Sequence, residues 1–430
     1  MGFRQGCFFS LIAVPWAGPQ VVTTDRRTAR RRYVSRQSMT SMCTGMQKQK
    51  EKISMPQLFE KTSIKSLDLE NRSIRSATWS GTADKKGYVT DLAVDFYGKL
   101  AAGGLGLIIT GFQYVMPNGI AMLQQFGNYS EDLLPGLKRL VETVHSQGGK
   151  VMAQLAHTGA KADPELFPEE GELWGPSALP DPWTGRIPKE MTQQDITTAV
   201  EAYAAAASRA QRAGFDGVEL HAAHGYGINQ FLSGAANKRS DKYGGDISRR
   251  YRLLGEVLEA VRGAVGKDYP IFIKLNGHDF FEGGLVPEES VYVAGRLADD
   301  GIDAIEVSGG SRASFNEMIP SRPNIRREEN EAYLAEFAGR IKEAVKVPVI
   351  TVGGIRSLAV ISRILTEGIA DYVAFSRPLI REPHLINRWK SGDLERAKCI
   401  SCNGCYETGL QGLGISCKVE RKLKEKAESK

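Results

Sequence analysis

Eight short apolar runs, most of them separated by helix-length amphipathic segments, predict an α/β chain folded as a (β/α)8 TIM barrel with a C-terminal four-cysteine segment. The runs cover residues 73–78, 106–110, 150–155, 217–221, 271–276, 304–308, 347–352 and 372–376. Most are β-branched or aliphatic throughout, as parallel strands covered on both faces must be. A doubly wound open sheet is the alternative, but it uses about five or six strands. No G-x-G-x-x-G follows the first run, as a dinucleotide-binding sheet would require.

The 430 residues hold 56 Lys or Arg against 50 Asp or Glu, a formal charge of +6. The excess sits at the start. Nine basic residues and one acid, Asp25, fall in the first 50, which leaves 47 basic and 49 acidic residues in the rest. A body without a basic surplus speaks against nucleic acid as a partner. No apolar run approaches the ~18 residues that a membrane span needs. Residues 1–54 read as a leader: a short apolar stretch over 7–14, then an Arg-, Ser- and Thr-rich stretch over 23–40. That is the composition of an organellar transit peptide. A tail, or a later start at Met39, Met42, Met46 or Met55, is equally open. The expected location is the cytoplasm or an organelle.

Residues 55–395 form the expected barrel domain. Thr192 and Asp195 have the spacing of a capping box that opens a helix over 196–213. A second amphipathic segment covers 247–265. The stretch 156–191 is long and rich in Gly and Pro, with Trp174 and Trp183. At the end of the third strand it predicts a lid or cap. Residues 396–430 hold the cysteines and then a charged tail, read as a solvated helix.

Polar residues and glycines gather at the ends of the strand runs, which in a barrel form one rim around one pocket. They are Ser76, Ala77, Thr78, Gly111, Gln154, His221, His224, Tyr226, Lys274, Gly353, Gly354, Ser376 and Arg377. The chain has six histidines, and two of them lie in the stretch HAAHGY. Two imidazoles can hold a carbonyl oxygen or phenolate, and a phenol can deliver a proton. Gly353-Gly354 and Ser376 can turn backbone N–H groups to a phosphate that Arg377 neutralises. Gln154 can pair with the polar edge of a pyrimidine ring, and Lys274 can steady negative charge on a reduced ring. These are the needs of a flavin.

Of six cysteines, Cys7 and Cys43 lie in the leader and Cys399, Cys402, Cys405 and Cys417 form one cluster. Four thiolates at this spacing can wrap a 4Fe-4S cluster or a zinc ion. A vestigial cluster without metal is also open.

The matching pieces NRSIRSATWSG (71–81), GGLGLIITG (103–111), QLAHTGAK (154–161), HAAHGYGINQFLSGAANKRSDKYGGDISRRYRL (221–253) and SRPLIREPHLINRW (376–389) make the chain resemble the old yellow enzyme family of FMN-dependent NAD(P)H oxidoreductases. The resemblance spans about residues 56–395. It implies that Thr78 contacts the flavin near O4 and N5, and that Ser76, Ala77, Gly111 and Gln154 line the isoalloxazine. Lys274 stands where many relatives have arginine, near N1 and O2. Gly353, Gly354, Ser376 and Arg377 hold the ribityl phosphate. His221 and His224 bind the substrate oxygen, and Tyr226 is the proton donor. The implied activity is NAD(P)H-dependent reduction of the activated C=C bond of an enone or enal. The cysteine segment resembles that of the larger relatives, the dienoyl-CoA reductases and trimethylamine dehydrogenase, with spacing nearer the latter. Two rival functions stay open. One is an amine or enoyl-thioester oxidoreductase passing electrons through an iron–sulfur cluster to a redox partner protein. The other is a non-catalytic flavin-binding barrel. A homo-oligomer is expected.

Overall fold

The computed structural model describes residues 56–429, apart from 168, 183 and 315–317. The expected leader over 1–54, and Trp183 of the expected lid, lie outside the described residues. Eight strands form the barrel: β1 Ser73–Arg75, β2 Leu107–Ile109, β3 Val151–Ala156, β4 Gly217–Ala222, β5 Ile271–Asn276, β6 Ala304–Ser308, β7 Val349–Thr351 and β8 Tyr372–Phe375. Each is parallel to its neighbours. Val373 lies opposite Ser73, so β8 returns to β1 and the ring closes. Closure removes both sheet edges, which is how a parallel sheet of short strands satisfies its backbone.

Helices α1 Asp91–Ala101, α2 Leu134–Ser146, α3 Gln193–Arg212, α4 Arg252–Val265, α5 Pro287–Asp299, α6 Ala335–Ala344 and α7 Leu358–Thr366 follow the first seven strands. Two shorter helices, Arg377–Arg381 and Leu385–Lys390, follow β8. Each long helix buries one apolar stripe on the sheet, such as Leu253, Leu254, Val257, Leu258 and Val261 of α4. Such a side chain contributes roughly 1.5–3 kcal/mol on burial. The capping box is present: the Thr192 side chain accepts from Asp195 N, and Asp195 accepts from Thr192 N. The segment 247–265 is two helices and not one. Asp246 caps a single turn, Ile247–Arg250, before α4 begins.

The inside of the barrel has its own apolar layer. A hairpin of Thr62–Ile64 and Leu67–Leu69 packs Ile64, Leu67 and Leu69 against Ile74, Leu107, Met152, Phe272, Ala304 and Ile350. These residues stand at or near the amino ends of their strands, so the hairpin stoppers that end and the cavity must open at the other.

The described residues of the segment 156–191 are held at several points. Trp174 is buried and stacks on His157 at 6.0 Å. Gly175 and Glu190 pair in a two-stranded parallel sheet, and Arg239 holds the Pro176 and Met191 carbonyls. Among its described residues beyond β3, only Lys161 lines the large cavity, so the expected lid does not cover it. The roof of the cavity comes largely from elsewhere, from residues 319–321 and 401–410. The cysteine segment lies on the barrel rim. Ile415 N donates to Ser80 O at 2.8 Å, and Trp79 stacks on Tyr406 at 6.5 Å. The charged tail is helical over Lys418–Glu428 and buries no residue. Among the described residues, no helix is long and apolar enough to cross a membrane.

Candidate active site

A cavity of about 600 Å³ opens at the carboxyl ends of the strands. Ser76, Ala77 and Thr78 line it from the loop after β1, Gln154 from β3, His221 from β4, Lys274 from β5, and Gly353, Gly354, Ser376 and Arg377 from the loops after β7 and β8. His224 and Tyr226 line it from the loop after β4. Of the cofactor and catalytic residues singled out in the sequence, Gly111 alone stands outside the wall. Its amide donates to the Tyr97 hydroxyl at 2.8 Å, and a Cβ there would lie 2.8 Å from Thr78 O. Its smallness lets the loops after β1 and β2 approach.

The two imidazoles and the phenol form one edge-to-face group. His221 lies 5.0 Å from both His224 and Tyr226, ring centre to ring centre. Phe112 closes the group, 5.3 Å from Tyr226. His221 Nδ1 accepts from Ala223 N, so its proton sits on Nε2, the nitrogen left to donate. His224 has φ +63, in the left-handed region where a residue with a Cβ is strained. The strain is held by β5 and β6: His224 N donates to Asn276 Oδ1, and Nε2 meets Ser308 Oγ at 2.7 Å. Burial drives the His221 pKa well below its usual value, with help from His224 and Lys274. Burial, Lys274 and Lys161 bring His224 down to about 3. Both rings are therefore neutral at physiological pH. Burial pushes the Tyr226 phenol up to about 12, so it keeps its proton.

Beneath the cavity lies a buried ionic trio of which the strand-end pattern marked only the lysine and its glutamine neighbour. Lys274 Nζ stands 3.1 Å from Glu306 and 3.5 Å from Glu219. Ser76 Oγ donates to Glu306, and Gln154 Nε2 donates to Glu219. The two acids occupy inward positions of β4 and β6, visible in sequence only as charges inside apolar runs. Burial raises the Glu219 pKa against the pull of Lys274, and the two acids raise that of Lys274 against burial. Lys274 thus stays a cation at the cavity floor. Gln154 and Lys274 fit the polar edge of a flavin ring.

Residues that could hold a phosphate stand beyond β7 and β8. Gly353 and Gly354 have φ +131 and +70, open to glycine and costly to any other residue. Arg377 donates to Arg322 O and Asn403 Oδ1. Arg356, which the sequence pattern did not single out, also lines the cavity; it donates to Cys399 O and stands 4.0 Å from buried Glu331, and its Nε has no hydrogen-bond partner. An orphaned guanidinium N–H beside a glycine pair fits an anion such as the phosphate of FMN. A local signal exists: Arg356 follows the glycine pair by two residues. Lys161, Arg312, Tyr333 and Tyr406 are further wall residues that no sequence pattern marked.

All four cysteines line a second, small void of about 20 Å³. Arg377 and Asn403 border it and the large cavity alike. Cys399 and Cys405 are buried, and Cys402 is exposed. Burial raises both buried thiols, Cys405 to about 11. No three His, Cys, Asp or Glu among the described residues stand close enough to hold one metal ion. The donor chemistry fits a thiolate-bound cluster, but the void has room for little more than one water. Seating a cubane requires the side chains to move apart.

A closed barrel with a glycine pair and two arginines after its last two strands, and neutral donors at its rim, fits a class: the (β/α)8 flavin oxidoreductases. The sequence profile of the NADH:flavin oxidoreductase / NADH oxidase family matches residues 57–395. An NADH oxidase of Thermoanaerobacter brockii is 37% identical over 368 residues, covering 85% of this chain and 56% of that protein. An NADPH dehydrogenase of Clostridium acetobutylicum is 36% identical over 330 residues, covering 76% and 93%. The solved structure of 2-naphthoyl-CoA reductase with 2-naphthoyl-CoA superposes with a TM-score of 0.78 at 28% identity, covering 84% of this chain and 56% of that one. The chain belongs to the NADH:flavin oxidoreductase / NADH oxidase family, with FMN as its flavin. It spans only a little over half the length of the first curated relatives it matches, 56% and 54%.

Proposed function

We propose that the protein reduces the activated C=C bond of α,β-unsaturated carbonyl compounds with NAD(P)H. The observation that carries this reading is the convergence of His221, His224 and Tyr226 on one wall of the cavity. FMN, when bound, supplies hydride transfer. Gly353, Gly354, Arg356, Ser376 and Arg377 would hold its phosphate, Gln154 and Lys274 its ring edge, and Ser76, Ala77 and Thr78 its ring. The chain's own part is then acid chemistry. His221 Nε2–H, with His224 beside it, donates to the carbonyl oxygen and stabilises the negative charge that develops there. Neutral imidazoles suit this task, because they donate hydrogen bonds without handing over a proton. Tyr226 delivers the proton to carbon.

Tyr226→Phe tests the reading in the FMN-loaded enzyme. Flavin reduction by NAD(P)H should persist, while alkene reduction slows by roughly 10²–10⁴. Equal loss of both half-reactions would make Tyr226 a packing residue and end this assignment.

The cysteine void supports a second feature. We propose that Cys399, Cys402, Cys405 and Cys417 hold a 4Fe-4S cluster, because all four line one void that shares Arg377 and Asn403 with the flavin cavity. A partner protein exchanging single electrons there would make the chain an enoyl-thioester oxidoreductase. One structural neighbour is named 2-naphthoyl-CoA reductase and another histamine dehydrogenase, so their names support a thioester and an amine alike.

A further inference from the structure

Among its described lining residues the cavity has five cationic side chains, Lys161, Lys274, Arg312, Arg356 and Arg377, and no aspartate or glutamate. Three of them already have an assignment. Lys274 is matched from below by Glu219 and Glu306. Arg356 and Arg377 stand among the residues proposed to hold the phosphate. Lys161 remains, at the end where chemistry is proposed, with Arg312 also in the wall. Lys161 Nζ donates to His224 O at 3.0 Å and lies 6.0 Å from the centre of the Tyr226 ring. Its ammonium is packed so closely over Gly225 that a Cβ there would fall 2.3 Å from it. One hydrogen bond to His224 O leaves two of its three N–H groups for other acceptors. The positive charge of Arg312 acts on both Lys161 and Tyr226.

We propose that the substrate carries an acidic group besides the carbonyl held by His221 and His224, and that Lys161 binds that anion. The inference rests on the ene-reductase reading of the same site and narrows its substrate class to unsaturated oxo acids and their like. A cationic amine is disfavoured at this end, since its ammonium would meet Lys161 and no carboxylate among the described wall residues. Lys161 is suited to the task. Burial pulls its pKa down to about 8, while Asp181 and Asp279 act to raise it and Arg312 to lower it. A carboxylate arriving from the cavity regains the charge-assisted hydrogen bond that burial withholds. The phosphates of the reductant offer the same chemistry. Against them, Lys161 is set beside the proton donor, where an anion must enter together with the reacting carbon.

The test uses the FMN-loaded full chain. 4-Hydroxybenzoate and its methyl ester, neither of them reducible, are titrated against the oxidised flavin at pH 7, following the visible spectrum. The acid should bind about tenfold or more tighter than the ester, and Lys161→Met should bring that ratio close to one. Lys161→Arg should restore it. If Lys161→Met sheds its FMN, Lys161→Gln reads the same ratio. In turnover, the preference for the unsaturated oxo acid 4-oxo-2-pentenoate over its methyl ester, read as a ratio of kcat/KM values, should fall in parallel. Equal affinity of acid and ester in the wild type overturns the proposal. So does a Lys161→Met enzyme that loses NAD(P)H affinity while keeping its preference for the acid, which would give Lys161 to the reductant. If neither alkene is reduced but the hydroxybenzoate ratio behaves as described, the anion site stands and the ene-reductase reading falls.

Discussion

His221 and His224 show how far a residue's surroundings outweigh its type. An imidazole in water titrates near neutrality, yet both of these are held neutral by burial and by the lysine charges beside them. The pKa of each is lower in the folded state than in the unfolded chain. The stability they allow is therefore fully present above about 6.5 and is lost as pH falls toward 3 for His224. Catalytically the consequence is flatness. The KM for a neutral enone should not change between about pH 5 and 7.5, because neither ring gains a proton there. Steady-state kinetics across that range decides the point. A step near 6.5 would show that one ring charges and that the buried, neutral pair is a misreading. The motif HAAHGY made the residue types legible. Their protonation was not, because it depends on Lys161 and Lys274, which lie about fifty or more positions away in the chain.

At the scale of elements, the loop after β7 is the part whose conformation is most demanding. Gly354 has φ +70, and a Cβ there would lie 2.9 Å from the Tyr333 ring and 3.2 Å from Ile325. Gly354→Ala should therefore tilt the loop and displace Tyr333, at a cost of roughly 1–3 kcal/mol of local strain. Retained FMN, measured by fluorescence after dialysis, should fall about tenfold or more, with the circular dichroism of the barrel unchanged. Undiminished FMN binding would show that the phosphate is held elsewhere. The strand runs were readable because parallel strands covered on both faces must be apolar throughout. Their ends were less so. The run 73–78 pairs fully only over Ser73–Arg75, since residues 76–78 turn to line the cavity. The segment 156–191 shows the same limit. Its length marked it as a cap, but where it lies depends on partners such as Arg239, far along the chain.

The whole molecule joins two sites through one wall. Arg377 and Asn403 border both the flavin cavity and the cysteine void, and Arg356 reaches back to the Cys399 carbonyl. If a cluster occupies the void, anaerobically purified protein should hold about four iron and four sulfide per chain. Cys402→Ser should remove them and leave FMN in place, because Cys402 lines the void alone. One tightly held zinc without iron would make the site structural. A chain starting at Met55 should fold, bind FMN and turn over as the full chain does, since the family match begins at residue 57. Loss of FMN binding from that shorter chain would make residues 1–54 part of the flavin domain.

The sequence by itself determined the barrel, the flavin family and the roster of rim residues, because each rests on local chemistry: apolar periodicity, glycine pairs, and a His–His–Tyr stretch within six positions. Only the tertiary structure decided what those residues face. It placed Gly111 behind the wall and Arg356 in it, set Glu219 and Glu306 around Lys274, and laid the cysteine segment on the rim beside Trp79. The reason is physical. Charge pairing and burial act between residues that closure of the ring brings together, and no local window of sequence contains both partners.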